Sequence, residues 1–172
     1  MTLTDVMTLE EWEALVGDIQ AKYGLDCSVS DPDGGHVTHA GKWCNKLCPE
    51  IKKCPEALGS ICAIAAQSFT AQARQTRQPV VSECDAGMVK VSVPIYLEDE
   101  FLGTIGGCGL LFEDGEVEDF LVQKTTGLSE EIVEELIASV PIISESKAEE
   151  CAQYIEARLR EATRAEDENI SC

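Results

Sequence analysis

Positive charge is scarce in this chain: 13 Lys and Arg stand against 32 Asp and Glu, a formal net charge of −19 over 172 residues. Nucleic-acid backbones and anionic lipid surfaces are held by clustered Lys and Arg. No such cluster occurs, so neither is an expected partner. Long hydrophobic runs are also missing. The longest fall far short of the roughly 20 residues that a membrane span needs. The opening M-T-L-T-D-V-M has no basic stretch leading into an apolar one, so no secretion leader is expected and the cytoplasm is the expected location. Histidine occurs only twice, as His36 and His39, both in one short segment. G-x-S-x-G, P-loop and dinucleotide fingerprints are absent. So is any C-x2-C pair, the spacing of disulfide exchange and of zinc knuckles.

What the chain has in excess is cysteine, nine residues of it. Five lie between Trp43 and Cys84: Cys44, Cys48, Cys54, Cys62 and Cys84. In a reducing compartment such usage points to metal, cluster or redox chemistry more than to structural disulfides. Small buried cysteines can also be ordinary core residues, which is the reading for Cys27, Cys151 and Cys172. Cys48 and Cys54 are each followed by proline. Proline suits the first turn of a helix, and each Cys-Pro step would set a thiol at a helix N-terminus, where thiolate is favoured. A Cys-Pro ligand step also occurs in ferredoxin-type iron–sulfur sites. Cys48, Cys54, Cys62 and Cys84, with Cys44 and Cys108 in reserve, would satisfy a cubane cluster. The spacings match no known cluster in full.

In chain order, Thr8 and Glu11 form a capping box, and Leu9, Trp12, Leu15, Ile19 and Tyr23 follow at helical spacing until Gly24. Leu25 to Ser30 alternates as a strand. D-P-D-G-G is a turn signal, and His36 to Ala40 would close a hairpin. Ser60 is the expected cap of a helix reaching about Thr76, with Ile61, Ala65, Phe69 and Ala73 inward. Strands are expected at Val80 to Glu83, Val89 to Ile95 and Phe101 to Phe112, with a break at Cys84-Asp85-Ala86-Gly87. The last strand carries Gly103, Gly106, Gly107 and Gly109, which permit close approach of backbone or ligand. Helices follow from Val117, Ser129 and Ser144. In the last, Ala148, Ala152, Ile155, Leu159 and Ala162 form a heptad seam, open to packing on its own domain or to a homodimer. This order gives an α+β domain with a mostly antiparallel five-stranded sheet and helices on one side. A sensor unit over residues 1–143 is followed by a C-terminal helix and acidic tail over 144–172.

The run C-D-A-G-M-V-K-V-S-V-P-I from Cys84, the step L-C-P-E-I-K around Cys48, Cys62 at a helix start, and Leu102-Gly103 together resemble the PocR sensory domain family, over about Leu9 to Phe112. The resemblance implies a PAS-like sensor of small organic molecules such as short diols, whose cysteines are candidate metal ligands. Met88 stands in place of the usual Leu, Asp85 where the family often has His, and Cys108 where it often has Gln; Cys44 and Cys54 are additional. These departures shift the expectation toward metal. No output domain is expected beside the sensor, and a signal is expected to pass to a separate signalling protein or through dimerisation.

The leading expectation is therefore a sensor whose cysteines (Cys44, Cys48, Cys54, Cys62, Cys84, Cys108) bind an iron–sulfur cluster or another metal in response to redox state or a small molecule. The first alternative is an organic-ligand sensor with structural or zinc-binding cysteines. Its pocket is expected near Trp43, Asp85, Gly87, Val91 and Gly107. The second is a thiol-dependent enzyme or metal-transfer protein with one reactive thiolate. No catalytic motif is present, and a non-enzymatic role is expected.

Overall fold

The computed structural model describes residues 1–38 and 42–170, the side chains as far as 164. Helix α1 spans Leu9–Tyr23. The Thr8 hydroxyl accepts from the Glu11 amide at 3.3 Å, the Thr8 amide donates to the Glu11 carboxylate at 2.8 Å, and Gly24 closes the helix at φ +77°. These groups satisfy backbone donors and acceptors that a helix end leaves free. Its apolar stripe, Trp12, Leu15, Val16, Ile19 and Tyr23, is buried.

Strand β1 (Asp26–Ser30) runs into the Asp31 turn, where the Asp31 carboxylate accepts from the amides of Asp33 and Gly35. The expected partner strand from His36 contracts to one bridge between Ser30 and His36. His39 and Ala40 lie outside the described residues. Short helices α2 (Leu47–Lys53) and α3 (Pro55–Ala57) lead through a π turn at Leu58–Ala63 into α4 (Ile64–Thr76). Ser60 is therefore inside a continuous helical path rather than a cap. Its hydroxyl bonds back to the Glu56 carbonyl. Ile61, Ala65, Phe69 and Ala73 are buried, as their spacing predicts.

Strands β2 (Val80–Glu83), β3 (Val89–Leu97) and β4 (Glu100–Phe112) follow. The sheet order is β1-β4-β3-β2, antiparallel throughout, and a two-residue strand β5 (Ile142–Ile143) pairs in parallel with the end of β4. The fifth strand is thus Ile142–Ile143. Two apolar residues carry too short a pattern to announce a strand. Helices α5 (Asp119–Thr126) and α6 (Glu130–Ile137) precede the long α7 (Glu145–Ile170), which takes in most of the expected acidic tail; Cys172 lies outside the described residues.

Period-two alternation decides which face does what. Cys27, Val29, Val89, Val91, Val93, Ile95 and Ile105 point to one side and form one core with α1 and α7. That core takes the heptad seam: Ala148, Ala152, Ile155 and Leu159 are buried in it and Ala162 packs against it. A homodimer through this stripe would need a face that the sheet already covers, so the seam is intramolecular. A second core joins α2, α3, α5 and α6 around Leu47, Ile51, Met88 and Leu111. Helix α4 stands over the opposite, polar face of the sheet.

Candidate functional site

That polar face is built by parity. Ser28 pairs with Gly106, Gly106 with Ser92, Ser30 with Thr104, and Lys90 with Cys108. With Val29, Val91 and Ile105 committed to the α1/α7 core, these partners must face α4. Between them and the helix lies a cavity of about 800 Å³, within the usual size range of small-ligand sites. Its floor is Ser28, Ser30, Ser92, Thr104 and Lys90, and its helical wall includes Ala66, Thr70 and Arg74. Ser92 and Thr104 are buried. Among the described residues, none of the four floor hydroxyls has a hydrogen-bonding partner, and none is sealed away from the cavity.

At the outer end, the Tyr96 hydroxyl donates to the Arg74 carbonyl at 2.7 Å, and the Arg74 guanidinium stacks over Phe101. His36 also lines the cavity. Desolvation, with Lys52 and Lys90 nearby, holds its imidazole below the usual range and so favours the neutral form. Gly106 is required here: a Cβ at this position would meet the Val91 carbonyl of the neighbouring strand.

The inner end carries the thiols. Cys108, opposite Lys90 on the floor face, is the point on which the others converge. The Cys44 thiol donates to the Cys108 carbonyl at 3.4 Å. Cys48, Cys62 and Cys84 all lie within electrostatic reach of Cys108. Asn45 organises this corner. Its Oδ1 accepts from the amides of Leu47 (2.8 Å) and Cys48 (2.7 Å), capping α2. Its Nδ2 donates to the Gly109 carbonyl at 2.7 Å and lies 3.3 Å from the Cys48 sulfur. The Met88 thioether is 3.7 Å from Cys48 Sγ. Gly109, at φ +99°, leaves room for all of this, since a Cβ there would strike Cys44 Sγ and the Asn45 amide. Asn45 and Met88 are missing from the sequence-based site. Asn45 could have been found as an Asx cap before L-C-P-E, because Asn is a preferred N-cap residue.

The Cys54 thiol donates to the Thr125 carbonyl on α5 at 3.0 Å, and Cys54 packs on the same core as Cys48, Cys62 and Cys84. Among the described residues, no group of three or more His, Cys, Asp or Glu side chains could hold a metal ion as the chain stands. The donors themselves, thiols with a thioether beside them, are those of soft metals and clusters. Burial pushes the Cys44 and Cys62 thiols up to about 11, and raises Cys48 and Cys84 as well. Burial thus opposes the thiolate expected at the Cys48-Pro49 step. Cys48 lies inside α2 and is shielded from water, and desolvation outweighs the dipole of a helix this short.

The five residues expected to line a pocket sit elsewhere. Val91 is buried on the α1/α7 face. Gly107 abuts Leu25 and Asp26 on that same face, where parity places it. Gly87, at φ +87°, makes the Cys84–Met88 turn and faces the Glu116 carbonyl. Asp85 is exposed, and Trp43 is half exposed with Lys52 over its ring.

An antiparallel sheet with one apolar face, one polar face and a helix-roofed cavity defines a PAS-like α+β sensory domain. The chain belongs to the PocR sensory domain family: the model for the sensory domain found in PocR matches residues 5–161. Neither the curated proteins nor the solved structures contain a match. Among the described residues, no helix is long and apolar enough to cross a membrane.

Proposed function

We propose that this domain senses a small polar organic molecule bound between the sheet and α4. One observation carries this reading: four unpartnered hydroxyls on adjacent strands line a cavity of about 800 Å³. Hydroxyls left free on a cavity wall are the groups that orient a polar ligand. A role as sensor rather than catalyst fits the raised thiols, because only a thiolate is a nucleophile. The test is a thermal-shift screen of small polyols, hydroxy acids and amino alcohols. Ligands should raise the melting temperature of the native chain, and Ala66→Trp, which fills the cavity from the helical side, should abolish the shift. An undiminished shift in Ala66→Trp would place binding elsewhere.

A second reading rests on a different observation, the convergence of Cys44, Cys48, Cys62 and Cys84 on Cys108. An iron–sulfur cluster or zinc ion here would supply the positive charge that buried thiols need to ionise. It would be held by four of these five, with Cys54 left on Thr125. Metal and sulfide analysis of chain purified without oxygen tests it. Cys62→Ala and Cys84→Ala should lose metal and stability together, while Cys151→Ala keeps its metal. Equal metal content in all three variants would remove this reading.

A further inference from the structure

The polar cavity carries two cations, Lys90 and Arg74, in a chain that is strongly anionic. Lys90 lies mid-strand on β3, on the floor, partly buried, with its ammonium 5.7 Å from the centroid of Phe69 on α4. It has no ion-pair partner within 4.0 Å among the described residues, and neither does Arg74 at the other end. The carboxylate of Asp26 lies on the same face of the sheet. It pairs with the far side of Cys108, close enough to feel Lys90 but not to bond it. At the rim, Asp99 is taken by Arg77 at 3.0 Å, and Asp33 sits exposed in the turn. With 32 acidic residues available, a lysine left unpaired inside a cavity is a position reserved for something else. Partly buried charges are normally paired.

We propose that the ligand is a short hydroxy-carboxylate, its carboxylate on Lys90 and its hydroxyls on Ser28, Ser30, Ser92 and Thr104. This inference rests on the small-molecule reading above and narrows it. The floor hydroxyls both donate and accept, so they match an alcohol, while Lys90 only donates and matches an anion. A carboxylate fits better than a phosphate. Phosphate sites use backbone amides at a helix start or several converging cations. Here the first amides of α4 are engaged by the π turn that leads into it, and Lys90 is, among the described residues, the one cation on the floor itself, with Lys52 near it but outside the lining. Arg74, over the Phe101 ring, is placed to meet a second polar group at the mouth.

Calorimetric titration of the full chain separates the possibilities. The probes are lactate and 3-hydroxypropionate against their neutral counterparts 1,2-propanediol and 1,3-propanediol, with native chain, Lys90→Gln and Lys90→Arg. A charge-assisted contact of this kind is worth roughly a tenfold to hundredfold gain. The acids should bind the native chain tighter than the diols by about that factor and weaken as salt rises. Lys90→Gln should lose the preference without weakening the diols, and Lys90→Arg should keep most of it. Diols binding as tightly as acids to the native chain would overturn the anion while leaving the pocket in place. Failure of all four probes to bind would overturn the anion and count against the pocket as well. The comparison of acid with diol in the native chain needs no variant, so a misfolded Lys90→Gln would not rescue the proposal.

Discussion

Gly109 is where the consequences of one residue are sharpest. At φ +99°, with Cys44 and Asn45 packed against it, it can accept no side chain. Gly109→Ala should cost about 3 kcal/mol in urea unfolding. Gly24→Ala, at φ +77° but facing open space, should cost only about 1 kcal/mol. Equal losses would mean that the packing at Gly109 matters less than its backbone. Asn45→Ala removes the α2 cap and the bond to Gly109 together, and a loss of about 2 kcal/mol is expected. At this scale the sequence was a good guide wherever one residue has one local task. Thr8, Gly24, Asp31 and Gly87 do what their types demand. It was a poor guide for Cys48, whose thiol responds to burial, a property of neighbours far along the chain.

Among the elements, α7 and β4 hold the domain together. Strand β4 pairs with β1, β3 and β5, and its glycines let the thiol corner and the neighbouring backbones close on it. Helix α7 was legible as a heptad stripe, but a stripe does not say what covers it. The sheet does, through Ala148, Cys151, Ala152 and Ile155. Ile155→Ala should therefore cost about 3 kcal/mol, whereas Ile142→Ala, at 57% exposure, should cost little. Burial, with Glu150 adding to it, pushes the Cys151 thiol up to about 12. The folded chain thus holds this proton more tightly than the unfolded chain does. Stability from this source is complete below about pH 8.5, the usual thiol value, and is lost as pH rises toward the folded value. Denaturation midpoints near pH 7.5 and pH 10 should fall less steeply for Cys151→Ala than for the native chain. Parallel declines would contradict the assignment.

For the whole molecule, the division of labour between the two sheet faces is the main result. One face is spent on stability with α1 and α7; the other is left polar and roofed by α4. Fold class was readable because capped helices and alternating strands are local signals. The cavity was not, because Ser28, Ser30, Lys90, Ser92 and Thr104 are scattered over three strands, and only register and the irregularity between Val89 and Lys90 bring them to one face. The glycine-rich β4 and the cysteine cluster drew attention to this sheet, but Val91 and Gly107, expected to line the pocket, lie on its α1/α7 face.

Chemical-shift mapping by NMR, with the best binder from the thermal-shift screen, tests the central claim most directly. Amide shifts confined to Ser28, Lys90, Ser92, Thr104 and the facing residues of α4 are the predicted result. Shifts centred on α1 and α7, or the absence of any molecule that perturbs the floor strands, would contradict it.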